Sequence, residues 1–374
     1  MRILNGVFIA LFMAMLTLPL IFVDLSPDRV SVRENRMLAN RPALADIKSQ
    51  PEIFIRRFDD WFNDSIGFRE RLIRLYNVMN TNRWNNNIWF AEGNNIYLFG
   101  EEGHIYYAEN GNLIDKFQGK QFLSDDQLAN MATKFDEVKS YLDKRGIPLI
   151  VMICADKESI YPEFYPRSIK RGPEPIQLDV ITTYLRENTG VDVFNIRQAL
   201  TAEKNNYMLY DVSENLSHYN EIGAFFAYRE LMKHINIYLP EIIYYEPDDV
   251  DISYNKNGIP AVSLKAGTAY KKLAPSFFNN VNVHRPFTWQ NEAYENTESE
   301  LPIILLFRDS YAHEYYIGKH IAQHFSKAIF IHYSNMEHFE EYITKYKPDI
   351  VVFESAERSL RNFAGCVAEI PKLP

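Results

Sequence analysis

Two stretches of the sequence combine a possible nucleophile with a possible base. In LPIILLFRDSYA, residues 301–312, an aliphatic run changes abruptly to Arg-Asp-Ser, which places Ser310 directly after a strand-like segment. His218 lies in the polar segment YDVSENLSHYN, residues 210–220. A serine hydroxyl becomes a nucleophile when a base takes its proton, and histidine is the usual base near neutral pH. The pair therefore allows acyl-transfer chemistry at Ser310, although an Asp or Ser at such a point is more often only a helix N-cap.

The pattern of apolar residues predicts the elements that must position this pair. From Ser124 onwards amphipathic helical segments alternate with short apolar runs, which predicts an α/β fold with a mostly parallel sheet and helices on both faces. The predicted helices are SDDQLANMATKFDEVKSYLDKRG, IQLDVITTYLRENTG and EIGAFFAYRELMKHI, and the predicted strands are IPLIVMICA, VDVFNI, PIILLF, KAIFIH and DIVVFES. In open parallel sheets functional groups gather beyond the carboxyl ends of the strands, which is where Ser310 is expected.

The N-terminal part of the chain differs from this α/β pattern. Residues 4–23 carry no charge and number about enough to cross a bilayer core, so we predict a membrane helix over residues 1–24, as an uncleaved anchor or a long signal sequence. Charge around it favours a body outside the cytoplasm, in the periplasm of a cell with an inner membrane. Residues 25–80 are predicted to form an extended lead-in and a helical arm, in which apolar residues recur every four positions.

The predicted α/β domain spans residues 81–374, with a polar excursion over the surface at about 246–300. The net charge of -9 argues against a nucleic-acid partner, because affinity for phosphate comes mainly from clustered Lys and Arg. An aromatic share of 14% suits a Tyr-rich core or the stacking of sugar rings. Cys154 and Cys366 are expected not to pair, since one pair is no disulfide framework in so long a chain.

Six blocks of sequence, in a fixed order, resemble one known family. They are ENRMLANRPAL, FDDWFNDSIGFRERLI, ADKESIYPEFYP, SHYNEIGAFFAYREL, LLFRDSYA and DIVVFESAERSL. The chain resembles the SGNH-type polysaccharide O-acetyltransferases, which include the alginate O-acetylation proteins and are related to the GDSL esterases. The resemblance implies that Ser310 is the nucleophile and His218 the base.

One position departs from the family pattern. The family usually has an acid two residues before the histidine, and this sequence has Leu216 there. Such an acid holds the imidazole in its productive tautomer. Asp211 or Glu214 is therefore expected to replace it, with a backbone carbonyl as a further alternative.

Three more residues are candidates for contact with substrate. Lys157, Arg308 and Tyr219 lie in the blocks that resemble the family. Two of them also have an ordinary structural interpretation: Lys157 as a solvated partner of Glu158, and Arg308 as the neutralising partner of Asp309. His320 and His324 lie one helical turn apart, and His313 is nearby, but exposed helix histidines explain this spacing better than a metal site does. We expect neither a metal nor another cofactor.

The resemblance implies transfer of an acetyl group to a hydroxyl of an exported polysaccharide through an acetyl-serine intermediate. It also implies a membrane-bound O-acyltransferase partner that supplies the acetyl groups. Two alternatives remain open from the sequence. One is an acetyl esterase with the same Ser/His site, and the other is an inactive polysaccharide-binding or assembly component, which the residue at 216 makes conceivable.

Overall fold

The computed structural model describes residues 2–26, 30–31, 36–43, 47, 51–68, 89–92, 95–108, 112–213, 218–254, 260–265, 267, 270–273, 277, 291–296 and 300–374. Contacts divide the chain into two units, Met1–Glu92 and Gly93–Pro374. The helices are α1 Arg2–Ile21, α2 Pro51–Ser65, α3 Asn112–Phe117, α4 Asp125–Asp143, α5 Lys157–Ile160, α6 Gln177–Asn188, α7 Arg197–Glu203, α8 Glu221–Tyr238, α9 Lys319–Ile321, α10 Phe339–Tyr346 and α11 Leu360–Ala368. The strands are β1 Val30–Ser31, β2 Arg36–Met37, β3 Trp89–Glu92, β4 Asn95–Phe99, β5 Ile105–Tyr107, β6 Leu149–Cys154, β7 Asp192–Asn195, β8 Val250–Tyr254, β9 Pro260–Leu264, β10 Tyr270–Lys272, β11 Glu292–Asn296, β12 Ile303–Arg308, β13 Lys327–His332 and β14 Ile350–Ala356.

The second unit is built on a mostly parallel sheet. Within the described chain its order is β10-β11-β13-β12-β14-β6-β7, a sheet of seven strands. The five strands from β13 to β7 pair in parallel, whereas β11 and β10 are antiparallel. Because parallel neighbours share one direction, the carboxyl ends of β12, β14 and β6 lie side by side at one edge of the sheet. This edge carries the residues that follow Arg308, Ala356 and Cys154.

Burial along the central strands shows that both faces of the sheet are covered. Every residue of β6 and of β14 is buried. Successive strand residues point to opposite faces, so uninterrupted burial requires packing on both sides. The α/β fold predicted from the alternation is confirmed.

The predicted helix that begins after Ser124 shows how local sequence defines an element. The Ser124 side chain accepts from the Gln127 amide, and the Gln127 side chain accepts in return from the Ser124 amide, which forms a capping box. The helix ends shortly before Gly146, which has a φ of +70°. That conformation is costly for a residue with a Cβ, so glycine suits the turn into β6.

The polar segment at about 246–300 contains strands that the sequence pattern does not predict. β8 and β9 form a hairpin, while β11 pairs with β13 inside the main sheet. The interpretation of the whole segment as a surface excursion is therefore wrong for β11, which is mostly buried. The sequence EAYEN shows no apolar alternation, since a charged residue, Glu292, occupies a buried position. Its partner there is a cation, Arg308.

In the described part of the first unit, α1 and α2 lie in the ranges predicted to be helical. Rings of α2 stack one turn apart, with centroid distances of 6.1 Å for Phe54–Phe58 and 6.2 Å for Phe58–Phe62, as the four-residue repeat predicts. The sequence also predicts a second apolar stripe in the arm, formed by Phe68, Leu72, Leu75 and Met79, and all of these residues except Phe68 lie outside the described residues. Over the part of the chain that is described, no helix combines the length and apolarity required to span a membrane. No disulfide joins Cys154 to Cys366.

Candidate active site

Ser310 lies at the carboxyl end of β12, at the start of a short turn. β12 ends at Arg308, and residues Ser310–Ala312 form one turn of 3-10 helix. Asp309 is the N-cap, since its side chain accepts from the Tyr311 amide at 2.9 Å. Ser310 itself is only partly buried. The cap interpretation thus applies to Asp309, and the serine hydroxyl remains available for chemistry.

The turn is also tied to the neighbouring strand β14. The second carboxylate oxygen of Asp309 accepts from the Ala356 amide at 2.8 Å, and the Asp309 amide donates to Glu354 Oε2 at 3.0 Å. Burial, reinforced by the negative Asp309, raises the pKa of Glu354 well above its usual value. The hydrogen bonds of Asp309 and Glu354 fix the backbone on which Ser310 is presented.

His218 approaches Ser310 from the segment that precedes α8. Asn220 caps α8 by accepting from the Ile222 and Gly223 amides, each at 3.1 Å, which fixes the chain two residues after His218. His218 Nε2 lies 2.7 Å from Ser310 Oγ. This is hydrogen-bond distance between a hydroxyl and a base, the geometry that nucleophilic serine chemistry requires.

The protonation state of His218 also suits the role of a base. Burial and then the positive charge of Arg358 lower the pKa of His218 well below 6.5, against the opposing effect of Asp156. The imidazole is consequently neutral at pH 7 and able to accept the serine proton. Its ring stacks against Tyr316, with centroids 5.3 Å apart and an interplanar angle of 7°.

Of the predicted replacements for the triad acid, only Asp211 is described. Its carboxylate accepts from Asn220 Nδ2 at 3.2 Å, so Asp211 is connected to the segment that carries His218. Glu214 and Leu216 lie outside the described residues. The assignment of Asp211 as the acid of the triad stays a prediction.

Lys157 is a buried residue, so the interpretation of Lys157 as a solvated partner of Glu158 is wrong. Its Nζ donates to three main-chain carbonyls, those of Ile105 at 2.8 Å, Asp211 at 2.7 Å and Val212 at 2.9 Å. Burial lowers the pKa of Lys157 to about 7. Three carbonyl acceptors match the three N–H groups of the protonated amine. Lys157 thus joins β5 to the segment before His218, while its contact with substrate stays a prediction.

Arg308 and Tyr219 are also held by internal bonds. The Arg308 side chain is fully buried, pairs with Glu292 Oε2 at 3.1 Å and donates to the Asp309 carbonyl at 3.1 Å. Tyr219 is equally buried, and its hydroxyl donates to the Tyr311 carbonyl at 2.6 Å. These contacts support the nucleophile turn from inside the protein. The predicted substrate contacts of both residues stay predictions.

Two residues next to this pair, Tyr311 and Asp156, were not singled out from the sequence, and both contact Arg358. Tyr311 follows Ser310, and its phenol donates to Asp156 Oδ1 at 3.0 Å and accepts from Arg358 Nη1 at 2.8 Å. Arg358 also donates to Asp156 Oδ1 at 2.6 Å. Their position in the sequence could have indicated this group. Asp156 follows the central strand β6 and Arg358 follows the central strand β14, at the end of the sheet where Ser310 lies.

The same cluster continues into the protein interior through Lys116. Its Nζ lies 3.0 Å from Asp156, 2.9 Å from Glu158 and 3.0 Å from Glu357, and all four side chains are at most 4% exposed. Burial would raise the pKa of Asp156, but Lys116 and Arg358 lower it below its usual value. Burial raises the pKa of Glu158 to about 7, against the opposing effect of Lys116. This buried ionic cluster, Lys116-Asp156-Glu158-Glu357-Arg358, forms one wall behind the site.

The histidines considered as metal ligands are buried, so the prediction that they are exposed on a helix is wrong. His320 is 1% exposed and His324 is 6% exposed, because this segment packs on the aromatic face of α8. His324 Nε2 lies 2.6 Å from the Tyr228 hydroxyl. Among the side chains that the structure describes, no group of three or more His, Cys, Asp or Glu residues is arranged to hold a metal ion.

Comparison with known proteins agrees with the resemblance over part of the chain. Residues 98–252 match the family model described as an SGNH hydrolase-like domain of the acetyltransferase AlgX. The match covers less than half of the 374 residues. The matched residues include His218 and end before Ser310. No curated protein sequence matches the chain.

Solved structures agree on the fold. A DHHW family protein from Eubacterium siraeum is 13% identical, with 75% of this chain and 97% of that chain covered and a TM-score of 0.51. PatB1 from Bacillus cereus, solved with a sulfonyl adduct, is 15% identical, with 74% and 97% covered and a TM-score of 0.51. At these identities the likeness concerns the architecture of the chain.

Proposed function

We propose that this protein transfers an acetyl group to a hydroxyl of a polysaccharide through an acetyl-Ser310 intermediate. The observation that carries the proposal is the 2.7 Å contact between His218 Nε2 and Ser310 Oγ at the carboxyl edge of the sheet. An inactive binding or assembly component has no need to keep a neutral base on a partly exposed serine. The acetyltransferase family model over residues 98–252 supports the choice of acyl group.

The steps follow from the positions of the two side chains. His218 takes the proton of Ser310 Oγ while that oxygen attacks the acetyl carbonyl of the donor, and the imidazolium returns the proton to the leaving group. A sugar hydroxyl then attacks acetyl-Ser310. His218 takes the hydroxyl proton and passes it to Ser310 Oγ as the ester bond breaks. Each half-reaction leaves His218 neutral.

Mass spectrometry of the protein and of an acceptor tests this proposal. The full chain is incubated with an activated acetyl ester, alone and with an oligosaccharide. We expect one acetyl group on the peptide that contains Ser310 and, with acceptor present, an acetylated sugar. In Ser310→Ala both products disappear. Equal amounts of acetylated sugar from wild type and Ser310→Ala would refute the proposal, and acetate without acetylated sugar would identify an esterase.

We further propose that the protein acts outside the cytoplasm, in the periplasm of a cell with an inner membrane, and receives acetyl groups from a membrane-bound O-acyltransferase. The uncharged segment of residues 4–23 and the chemistry of an exported polysaccharide support this location. Protease added to cells with a permeabilised outer layer should digest the protein while cytoplasmic proteins survive. Survival of the protein together with the cytoplasmic proteins would contradict the location.

A further inference from the structure

The nucleophile and the base belong to segments that are far apart in sequence. Ser310 follows β12, whereas His218 precedes α8, and the two are 92 residues apart. A productive pair must hold its distance closely, since a misplacement of about 1 Å costs ~100-fold in rate. One hydrogen bond between two side chains is a weak constraint on two segments of backbone. Another contact is needed to fix their relative position.

The residues directly after the nucleophile and the base provide such a contact. Tyr219 follows His218, Tyr311 follows Ser310, and the Tyr219 hydroxyl donates to the Tyr311 main-chain carbonyl at 2.6 Å. Both tyrosines are fully buried. Their rings meet edge to face, with centroids 4.7 Å apart and an angle of 79°. The bond therefore joins the two segments one residue away from the reacting atoms, and both of its residues are shielded from solvent.

The far end of Tyr311 is held as well. Its phenol lies between Asp156 and Arg358, at 3.0 Å and 2.8 Å, and its ring packs on the imidazole of His218 with centroids 4.8 Å apart. Tyr311 is thus fixed at its phenol by charged partners and at its carbonyl by Tyr219. A shift of Tyr219 relative to Tyr311 would change the distance between His218 Nε2 and Ser310 Oγ directly.

We propose that Tyr219 is a positioning residue that aligns His218 on Ser310 through its hydrogen bond to the Tyr311 carbonyl. This inference rests on the proposed function, because it assigns Tyr219 a part in that reaction. It assigns the fully buried Tyr219 a role that differs from the predicted contact with substrate.

Tyr219→Phe tests the inference, because it removes only the hydroxyl. We expect kcat for Ser310-dependent acetyl transfer to fall roughly 10- to 100-fold, with KM within about twofold of the wild-type value. The matched control is Tyr228→Phe, which also deletes a fully buried hydroxyl, one bonded to His324 Nε2 at 2.6 Å and to the Tyr245 amide at 3.0 Å. We expect the control to keep kcat within about twofold.

A double-mutant cycle distinguishes alignment from general support of the fold. In a His218→Ala background there is no base to align, so Tyr219→Phe should cause no further loss of the residual rate. The same fold-loss in both backgrounds, or a Tyr219→Phe enzyme as active as Tyr228→Phe, would overturn the inference. Circular dichroism verifies folding. Should Tyr219→Phe not fold, Tyr311→Phe replaces it, since it releases the phenol from Asp156 and Arg358 and should show the same dependence on His218.

The two proposals fail in different ways. If wild type and Ser310→Ala transfer acetyl groups equally, the proposed function is refuted and the alignment with it. If wild type has Ser310-dependent activity and Tyr219→Phe matches its control, only the role of Tyr219 is refuted.

Discussion

Replacing His218 by alanine lowers kcat for acetyl transfer by roughly 10³-fold or more, because Ser310 then has no group to accept its proton. The structure supports so large an effect, since His218 Nε2 lies 2.7 Å from Ser310 Oγ. We expect the acetyl-Ser310 intermediate to form correspondingly slowly in single-turnover experiments. KM should change little, because a buried imidazole contributes little to binding of the acceptor.

The pH dependence provides a second readout for the same substitution. A base must be unprotonated, and burial together with the Arg358 charge lowers the pKa of His218 well below 6.5. The wild-type rate kcat/KM should therefore stay constant as the pH falls through 6.5 and decrease only below the lowered pKa of His218. The residual rate of His218→Ala should lack this decrease. A wild-type decrease centred above pH 6.5 would contradict the assignment.

His234→Ala is the matched control for His218→Ala. His234 is a partly buried imidazole. It is bonded to Asp192 at 2.9 Å and stacked on Phe194 with ring centroids 3.7 Å apart. Asp192 is the first residue of β7, so this histidine belongs to the opposite end of the parallel strands. We expect its removal to leave kcat within about twofold of wild type. A similar loss in both variants would point to instability.

The pairing of Ser310 with His218 could be predicted because local patterns made each residue a candidate and the resemblance to a known family linked the two. Ser310 comes shortly after an apolar run that is typical of a buried strand, and His218 precedes a helix with a capping Asn220. The alternation of helices and strands predicts a parallel sheet, in which the carboxyl ends of neighbouring strands lie side by side. These signals involve neighbours in sequence, so they can be recognised without knowledge of tertiary contacts.

The environment of charged side chains could not be predicted in the same way. Lys157 was predicted to be solvated beside Glu158 or to contact substrate, and Arg308 to neutralise Asp309 or to contact substrate. Both are buried, because carbonyls and a carboxylate from distant segments compensate their charges. The strand β11 could not be recognised from its sequence for the same reason, because the buried charge of Glu292 is compensated by a residue distant in sequence, Arg308. Whether a charge is solvated or internal depends on partners many residues away, and one sequence does not reveal them.

Lys116→Met should strongly destabilise the second unit while it leaves the reacting pair itself intact. Removing one partner from a buried ion pair typically costs about 3–5 kcal/mol, because the remaining charges stay buried without compensation. Lys116 lies within 3.0 Å of carboxylate oxygens of Asp156, Glu158 and Glu357. Chemical denaturation of the full chain measures the loss of unfolding free energy.

Lys120→Met is the control, because Lys120 pairs with Asp115 at 2.6 Å while 62% and 55% of the two side chains are exposed. An exposed pair contributes at most about 1 kcal/mol, so this variant should resemble wild type. Equal stability of the Lys116 and Lys120 variants would show that water, and not the Lys116 cation, compensates the buried carboxylates.

The sign of the pH effect follows from the charges of the cluster. Lys116 and Arg358 contribute +2, and Asp156 and Glu357 contribute −2, so the cluster is neutral when Glu158 carries a proton, consistent with its pKa of about 7. Without Lys116 the pKa values of Asp156 and Glu158 in the folded state must rise. The folded state then keeps protons on these carboxyl groups at pH values at which the unfolded state releases them. The deficit of Lys116→Met should therefore shrink as the pH falls from about 8 to about 5.5.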